Sequence, residues 1–532
     1  MTGLPTPLSI LSCVPLHEMD VSNRLLADYQ HHAPALRPFF TVFPPITTPC
    51  RTPDRAKLAA ALTVYQQQLG ADPRAVAAAT RLADPSTPVV CVGQQPGLLT
   101  GPLYTPLKAL TAISVARYIG AVPVFWIGAD DDDRAEVDHC GWWDRQEAWH
   151  TIHYPAEPGI PGQLVGDLPT GPSGEVALAQ LLPLLDGMPF AGSILDVLRE
   201  TLAASADMGT WCARLLARLC SRHGLVMCDA RLPIVRQLAT PRIQEEIDQP
   251  LQRTRLLNAQ AQTIHRAGYR PALTKPEDVC NFFLYDTVRH RVTYIDGRFH
   301  AGDATYSPAE LTTLLAREPE RFIPNAVLRP LVQETLFSSS AFIAGPNEVG
   351  YWAELRPLFT SDVPMPPVMP RVGITLVPAR CARLLRAWEA APIELLHTAN
   401  QVRQTLFARL EPPIVQAAFT AGRMQVAQTM DDLRQAMETV DGSLAESVLA
   451  SHQRMRNEVD RLEHKTRKAL ERQSSELTRR FTEVRETLFP GHGPQERTLN
   501  LFAAMARYGL DLPDRLLDVI DKQEGTHLFV EL

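Results

Sequence analysis

The sequence has few features of a secreted, membrane-spanning or nucleic-acid-binding protein. Its nine cysteines are scattered without a C-x-x-C pair, which gives no disulfide framework and suits a reducing compartment. No apolar run reaches the roughly eighteen residues of a membrane helix, and no basic residue precedes the apolar part of the N-terminus. A net charge of −7 argues against nucleic acid or an anionic membrane as a partner. We therefore expect a cytoplasmic protein that acts on small molecules.

Standard nucleotide and metal motifs are also missing. The glycine-rich stretch that begins at Gly93 is neither G-x-G-x-x-G nor G-x-x-x-x-G-K-[ST], because Gly101 is followed by proline. Cys220, His223 and Cys228 could be zinc ligands or core residues, and the strand-like run around Cys228 favours the core. No metal ligands are predicted.

The chain is long enough for two or three structural units, with 532 residues of which 45% are hydrophobic and 21% charged. Its clearest pattern is a predicted strand at 89–92, a loop punctuated by glycines, a helix at 103–118 and a second apolar strand at 122–127. A β-loop-α-β unit of this kind predicts a parallel sheet. Ligands of such sheets bind beyond the carboxyl ends of the strands.

The segment after the first strand, residues 93–105, has the chemistry of an anion site. Its glycines let backbone N–H groups approach a ligand, and Lys108 lies one turn inside the helix that follows. Phosphate or carboxylate would suit these groups. The alternative is that the glycines serve only the turn between strand and helix.

The segment after the second strand is acidic, with four consecutive aspartates at 130–133 and Glu136 close behind. So many carboxylates need a counter-charge, which a bound amine, sugar hydroxyls or Mg²⁺ could supply. An acidic run is often only a solvated surface. The strongly apolar strand directly before it places this run at a strand end and favours a binding site.

The C-terminal part of the chain has a helical pattern. From Leu433 onward, apolar residues recur mostly three or four positions apart among Arg, Glu and Lys, up to Phe489. This spacing predicts a coiled coil or long helical hairpin, in which the Leu and Met stripe is a packing or oligomerisation seam rather than a cofactor site. We expect a homodimer formed through this arm.

Three parts of the chain are similar to one known family. They are G-Q-Q-P-G-L-L-T-G-P-L-Y-T-P-L-K-A followed by V-P-V-F-W-I and the acidic block, then F-I-P-N-A-V-L-R-P-L-V-Q-E-T-L-F with A-F-I-A-G-P-N-E-V-G-Y-W-A-E-L, and finally L-F-P-G-H-G-P-Q-E-R. These motifs resemble the bacillithiol-biosynthesis family of cysteine ligases. The resemblance implies an enzyme that forms an amide bond between cysteine and glucosaminyl-malate, the last step of bacillithiol synthesis. One position departs from the family pattern Glu-Asp-His-Asp, since Asp132 stands where the histidine is expected.

The resemblance also implies a set of site residues. Lys108 or Arg329 would offset developing charge, and Arg329 could instead clamp a carboxylate or phosphate. Glu348 could hold an amine or a sugar hydroxyl, although a buried Arg–Glu pair is the structural alternative. The predicted catalytic residues are Asp131, Asp133, Glu136 and Lys108. The predicted substrate- or nucleotide-binding residues are Gly93, Gln94, Gln95, Gly97, Thr100, Gly101, Tyr104, Thr105, Asp130, His139, Arg329, Gln333, Glu334, Gly345, Pro346, Glu348 and Tyr351.

We predict an α/β protein with three parts. A Rossmann-like parallel-sheet core in residues 1–375 carries insertions near 140–222 and 255–320, a helical coiled-coil arm occupies 376–490, and residues 491–532 return to the core. Amide formation in water needs an activated acyl donor, so ATP with Mg²⁺ is the expected cosubstrate. Two other functions stay open: a nucleotidyl- or sugar-transferase that uses the same site, and a non-catalytic metabolite-binding dimer.

Overall fold

The computed structural model describes residues 7–40, 55–155, 161–410, 412–521, 523 and 525–532. These residues divide into two compact units. The core unit lies within Met1–Val377 and Pro494–Leu532, and the arm unit is Pro378–Gly493. No helix in the described part of the chain is long and apolar enough to cross a membrane.

All strands in the described residues belong to the core unit. They are β1 (Ser9–Pro15), β2 (Val89–Gln94), β3 (Val122–Ile127), β4 (His139–Trp143), β5 (Trp149–His153), β6 (Val226–Asp229), β7 (Val279–Tyr285), β8 (Arg289–Ile295), β9 (Arg298–Ala301), β10 (Ala304–Tyr306), β11 (Phe322–Pro324), β12 (Ala341–Ala344), β13 (Val368–Pro370), β14 (Gly373–Val377) and β15 (Thr526–Glu531).

The α-helices are shared between the two units. Those of the core unit are α1 (Arg24–Gln30), α2 (Arg55–Leu69), α3 (Pro73–Arg81), α4 (Tyr104–Ile119), α5 (Gly171–Leu185), α6 (Ala191–Ala203), α7 (Met208–Cys220), α8 (Pro233–Asp248), α9 (Gln252–Arg266), α10 (Pro308–Arg317), α11 (Arg329–Phe337), α12 (Pro346–Leu355), α19 (Leu501–Tyr508) and α20 (Leu512–Ile520). Those of the arm unit are α13 (Ala379–Trp388), α14 (Glu394–His397), α15 (Ala399–Ala408), α16 (Pro413–Glu438), α17 (Ala445–Gln473) and α18 (Ser475–Leu488).

A five-stranded parallel sheet forms the centre of the core unit. Its strand order is β13-β12-β2-β3-β6, and every neighbouring pair is parallel. Strand β3 is buried along its whole length because alternate side chains enter the two hydrophobic cores on opposite faces of the sheet. The chain leaves β2 on one side and later returns to its other side with β12, so the strand order reverses between these two strands. The predicted Rossmann-like α/β fold is confirmed.

Helix α4 connects β2 to β3 and is buried over most of its first three turns, as a crossover helix packed on the sheet should be, while its last turn is exposed. It ends at Gly120, which has a φ of 70° and donates its N–H to the carbonyl oxygen of Ala116. A residue with a Cβ would be strained in this left-handed conformation, so glycine sets the point where the helix stops.

An inserted antiparallel sheet separates α9 from α11, with strand order β10-β9-β8-β7-β11. Its β8–β9 hairpin pairs Ile295 with Arg298, which leaves Asp296 and Gly297 in the turn, both with positive φ. Asp-Gly is a favoured sequence for such a two-residue turn. The local sequence therefore accounts for this hairpin.

The end of the chain supplies the central strand of a third sheet in the core unit, of order β1-β15-β14. Buried Arg371 and Glu496 connect it to the strand ends of the parallel sheet through two hydrogen bonds of 2.6 and 2.8 Å. The zinc alternative at Cys220 and Cys228 has no support, because both thiols are buried in hydrophobic clusters and His223 bonds to Asp514.

The arm unit contains a helical hairpin of α16 and α17. Arg423 of α16 reaches Asp460 and Glu463 of α17, which sets the two helices side by side. Large apolar side chains remain exposed on this hairpin, namely Met424, Leu433, Leu449, Met455 and Leu462. The predicted coiled-coil character of the C-terminal part is confirmed.

Candidate functional site

A cleft of about 480 Å³ opens at the carboxyl ends of β2, β3 and β12, where the strand order reverses. Gly93, Gln94 and Gln95 with Asp130 and Asp131 form one side, which we call the strand-end wall. The opposite side, the inserted-sheet wall, is formed by Lys275, Phe283, Arg289 and Arg291. Arg329, Glu348 and Tyr351 complete the lining. Ligands of parallel α/β sheets bind at this place.

Lys108 supports the strand-end wall from behind. Its ammonium donates to the carbonyl oxygen of Gly93 at 3.0 Å and to Oε1 of Gln94 at 2.9 Å, and pairs with Oε2 of Glu348 at 2.5 Å. Burial lowers the pKa of Lys108, while Glu348 opposes that shift. Because an ammonium has three N–H groups, these three protein partners use all of them. Lys108 therefore joins the ends of β2 and β12.

The glycine-rich loop differs from the expected anion cradle. The N–H groups of Gly97, Leu98, Gly101, Leu103 and Thr105 all donate to carbonyl oxygens of the protein. The backbone has positive φ at three successive residues of this loop, and the side chain of buried Asn500 donates to two of its carbonyl oxygens. Gly97 is needed for close approach, since a Cβ there would lie 2.7 Å from Cα of Gly101. In this structure the loop positions the strand end, and these five N–H groups are bonded to protein atoms.

Arginines provide counter-charges for the acidic run. Asp130 is buried and accepts a hydrogen bond of 2.8 Å from Arg236. Arg289 reaches from β8 to the carbonyl oxygen of Asp130 and to the carboxylates of Asp131 and Asp132. The guanidinium of Arg289 also lies over the ring of Phe283, 4.1 Å from its centroid. Asp132, at the expected histidine position, is thus an ion-pair partner of Arg289.

Gln95 hydrogen-bonds to two carboxylates at the strand-end wall. Its Nε2 donates to Oδ2 of Asp131 at 3.2 Å and to Oε2 of Glu136 at 3.0 Å. Burial raises the pKa of Glu136, and the negative charges of Asp133 and Asp131 raise it further. This acidic cluster of Asp131, Asp133 and Glu136 would be stabilised by a bound cation such as an ammonium group.

Arg329 and Tyr351 occupy the floor of the cleft. Arg329 donates to Oε1 of Gln333 at 3.2 Å and to the hydroxyl of Tyr351 at 3.3 Å. Both partners are neutral, because burial raises the pKa of Tyr351 above its usual value. Behind them, burial raises the pKa of Glu334, which accepts hydrogen bonds from Gln333 and Ser339. Arg329 therefore brings a positive charge to the cleft without a carboxylate directly bonded to it among the described residues.

Comparison with known families assigns nearly the whole chain. The family model described as Bacillithiol biosynthesis BshC, N-terminal Rossmann-like domain, matches residues 10–372. The model described as Bacillithiol biosynthesis BshC, C-terminal coiled-coil domain, matches residues 374–532. The chain belongs to the bacillithiol biosynthesis BshC family.

Individual BshC proteins are similar to it over nearly their full length. A protein of Koribacter versatilis (strain Ellin345) is 30% identical over 525 residues, which cover 96% of this chain and 97% of that protein. A protein of Anoxybacillus flavithermus (strain DSM 21510 / WK1) is 30% identical over 91% of this chain and 92% of its own length. One of Solibacter usitatus (strain Ellin6076) is 27% identical over 97% and 98%. Each of them is named "Putative cysteine ligase BshC".

The structure of this BshC-family chain sorts the predicted site residues into three groups. The cleft lining contains Gly93, Gln94, Gln95, Asp130, Asp131, Arg329, Glu348 and Tyr351. Residues hydrogen-bonded to that lining are Lys108, Tyr104, Glu136, Gln333, Gly345 and Gly97. Outside both groups are Thr100, Gly101, Thr105, Asp133, His139, Glu334 and Pro346. Of these, His139 lies on β4 and contacts Asp138.

Several cleft residues of the BshC-family chain were not predicted from its sequence, namely Lys275, Arg289, Arg291 and Asn325, together with Arg236 behind the lining. One weak signal existed. Arg289 and Arg291 are two residues apart in β8, which puts both on the same face. Nothing local indicates that this face meets the parallel sheet, because that contact joins elements more than 150 residues apart.

Proposed function

We propose that this protein is a cysteine ligase that joins the carboxyl group of cysteine to the amine of glucosaminyl-malate in bacillithiol synthesis. The observation that supports this most directly is the charge distribution of the cleft. An acidic cluster lies at the strand-end wall, and Arg329 lies on the floor of the same cleft. A substrate with an amine at one end and carboxylates at the other is complementary to such a site.

The acidic cluster is the proposed binding site for the amine. Asp131 and Glu136, bridged by Gln95, would hold the ammonium form of the glucosamine, and Asp133 adds negative charge beside them. The amine must lose a proton as its nitrogen forms the new C–N bond. Glu136 is the proposed acceptor, because its raised pKa makes it a stronger base than an ordinary carboxylate.

Arg329 is the proposed partner of a carboxylate or phosphate group. A guanidinium binds both groups through paired hydrogen bonds, and its neutral partners in the structure leave its charge uncompensated by direct contact. Lys108 has a positioning role in this scheme, because protein atoms occupy its three N–H groups.

Cysteine must be activated before the amine attacks, and ATP with Mg²⁺ is the proposed source of that activation. The cysteine carboxylate would attack the terminal phosphorus of ATP and release ADP, and the phosphate, with that carboxylate oxygen, would leave when the amine forms the C–N bond. The described residues contain no group of three or more His, Cys, Asp and Glu side chains that could hold a metal ion. Mg²⁺ therefore fits this site as the partner of the nucleotide phosphates rather than as an ion held by the protein alone.

The arm is proposed to form a homodimer. Its hairpin exposes Leu433, Leu449, Met455 and Leu462, and residues of this kind at helical spacing commonly pack against a second chain. Light scattering of the purified protein would test this. Replacing Leu433 and Leu462 by Asp should give monomers, and unchanged mass would contradict a seam at these residues.

The proposed reaction is tested by incubating the purified protein with cysteine, glucosaminyl-malate, ATP and Mg²⁺, followed by mass spectrometry. We expect a product with the summed mass of both substrates minus water. Asp131→Asn should abolish it, while Asp303→Asn, in an exposed turn of the same unit, should not. A product that contains a nucleotidyl or sugar group instead would support the transferase. Binding without turnover under any cosubstrate would support the non-catalytic dimer.

The same question can be asked in cells. Thiol profiling of cells that lack this chain should find no bacillithiol and an accumulation of glucosaminyl-malate, restored by the intact chain but not by Asp131→Asn. Persistent bacillithiol in a strain without a redundant enzyme would contradict the proposal.

A further inference from the structure

Lys275 is a cation of the cleft to which neither the family motifs nor the proposed reaction assigns a role. It lies in the segment between α9 and β7, and that segment is held in place by Glu354, which accepts the N–H of Leu273 at 3.1 Å. The Lys275 ammonium donates to the carbonyl oxygen of Cys280 at 2.6 Å and to Oδ1 of Asn281. Since an ammonium has three N–H groups, one remains for a ligand in the cleft.

A buried network fixes the position of that ammonium. Asn281 is fully buried, and its Nδ2 donates to Oε2 of Glu246 at 2.9 Å. Glu246 is buried as well and pairs with Arg253 at 2.7 Å. Because the Glu246 carboxylate can only accept hydrogen bonds, Asn281 must turn its oxygen toward Lys275. The network thus holds Lys275 at the cleft, with both of its own partners being neutral oxygens.

Lys108 and Lys275 differ in their ion-pair partners, and this difference indicates the role of Lys275. Lys108 forms an ion pair with Glu348, whereas the described residues include no carboxylate within ion-pair distance of Lys275. Arg329 also has only neutral partners, and Arg291 lines the same cleft. A half-buried ammonium without a direct counter-ion is stabilised when an anion binds beside it.

We propose that Lys275 is a specificity-determining residue that binds a carboxylate of the substrate. The identity of the substrates rests on the proposed function, in which two molecules carry a carboxylate: the malyl group of glucosaminyl-malate and cysteine. The binding chemistry is the same for both, and separate titrations distinguish them.

The titration of Lys275 provides a readout that a purely structural residue would not affect. Burial is the main cause that lowers the pKa of Lys275 to about 8; Glu246 and Cys280 oppose the shift, and Arg291 contributes to it. These three are the charged or titratable groups that act on it. Lys275 is therefore charged below about pH 8 and loses its charge as the pH rises through that value. Carboxylate binding should weaken over the same range.

The experiment is calorimetric titration of the full chain with L-malate and, separately, with S-methyl-L-cysteine, whose sulfur does not titrate. Lys275→Gln should weaken the binding of one of the two by about 10- to 100-fold at pH 7, the loss typical of a charge-assisted hydrogen bond. Lys57→Gln is the matched control, because it removes the same charge from an exposed position away from the cleft. That control should bind like the unmodified protein.

A second variant keeps the test valid if Lys275→Gln folds poorly. Lys275→Arg retains its charge at every accessible pH, so its affinity should stay level between about pH 7 and 9, where the affinity of the unmodified protein falls. Both proteins retain Lys108, so any pH dependence of the affinity that comes from Lys108 is the same in both and does not affect the comparison. A parallel decline in both proteins would overturn the inference.

Two further results would also overturn it: Lys275→Gln with unchanged affinity for both ligands, or an unmodified protein that binds neither. These outcomes are separable from the proposed function. If product forms normally but Lys275 does not affect binding, only the assignment of Lys275 fails. If binding depends on Lys275 but no ligation occurs, the carboxylate site stands and the ligase proposal fails.

Discussion

The two walls of the cleft use their polar groups in opposite ways. In the strand-end wall, five loop N–H groups and the Lys108 ammonium are bonded to protein atoms, so the segment that most resembles a ligand-binding motif mainly holds the sheet ends together. In the inserted-sheet wall, Lys275 has only neutral partners among the described residues and lines the cleft. A motif can therefore be needed for the shape of a site while charges from an insertion contact the ligand.

The largest effect should come from Lys108→Met, which tests the structural side of this comparison. The substitution leaves Glu348 without its ion-pair partner and Gly93 with an unsatisfied carbonyl oxygen. We expect a loss of about 3–5 kcal/mol in the free energy of unfolding, the usual cost of removing one partner of a buried ion pair. Urea denaturation measures it, with Lys57→Met as the exposed control. A variant of unchanged stability that loses only ligand affinity would contradict this prediction, because it would show that Lys108 binds the ligand rather than stabilising the protein.

Gly97→Ala should have the next largest effect, again on stability. Its Cβ would meet Cα of Gly101 at 2.7 Å and N of Gly101 at 3.0 Å, which are backbone atoms that cannot turn aside. A loss of about 2 kcal/mol is typical of such overpacking. Gly192→Ala in α6 is the matched control, since a Cβ there meets nothing within 4 Å. Equal unfolding midpoints for the two variants would show that the loop can relax.

Arg291→Gln tests the inserted-sheet wall and should leave stability unchanged. Arg291 is exposed and lines the cleft, so its charge acts on a bound anion mainly through solvent. We expect an affinity for L-malate or S-methyl-L-cysteine that is lower by about two- to fivefold, as for an exposed ion pair. The loss should shrink in high salt. A salt-independent loss, or a lower melting temperature, would contradict this description.

The smallest effect should be a shift in the pH profile of product formation. Burial and the charges of Asp133 and Asp131 raise the pKa of Glu136, so its basic form is lost at a higher pH than for an ordinary glutamate. Asp133→Asn removes one of these causes, and the acidic limb of the profile should move to lower pH. Asp303→Asn should leave the limb in place. An unmoved limb in Asp133→Asn would exclude Glu136 as the titrating base.

Local patterns were sufficient for several elements of the two units. The β-loop-α-β unit, the turn at Asp296 and Gly297 and the helical arm follow from apolar periodicity and turn chemistry, and each of these depends on neighbouring residues. The acidic segment after β3 was placed at a strand end for the same reason, and Asp130 and Asp131 do line the cleft. The family motifs added Arg329, Glu348 and Tyr351 to that lining.

The partners of those residues could not be predicted from local sequence patterns. Asp130 bonds to Arg236, Asp132 to Arg289 and Asn500 to the glycine-rich loop, and each pair joins segments far apart in the chain. Whether a charged group is bound by the protein or left for a ligand depends on such contacts. Sequence therefore determined the sheet, its acidic strand end and the helical arm, because periodicity and turns are local. Only the tertiary structure decided that Lys108 is bonded to protein while Lys275 borders the cleft, because burial and pairing arise when distant segments meet.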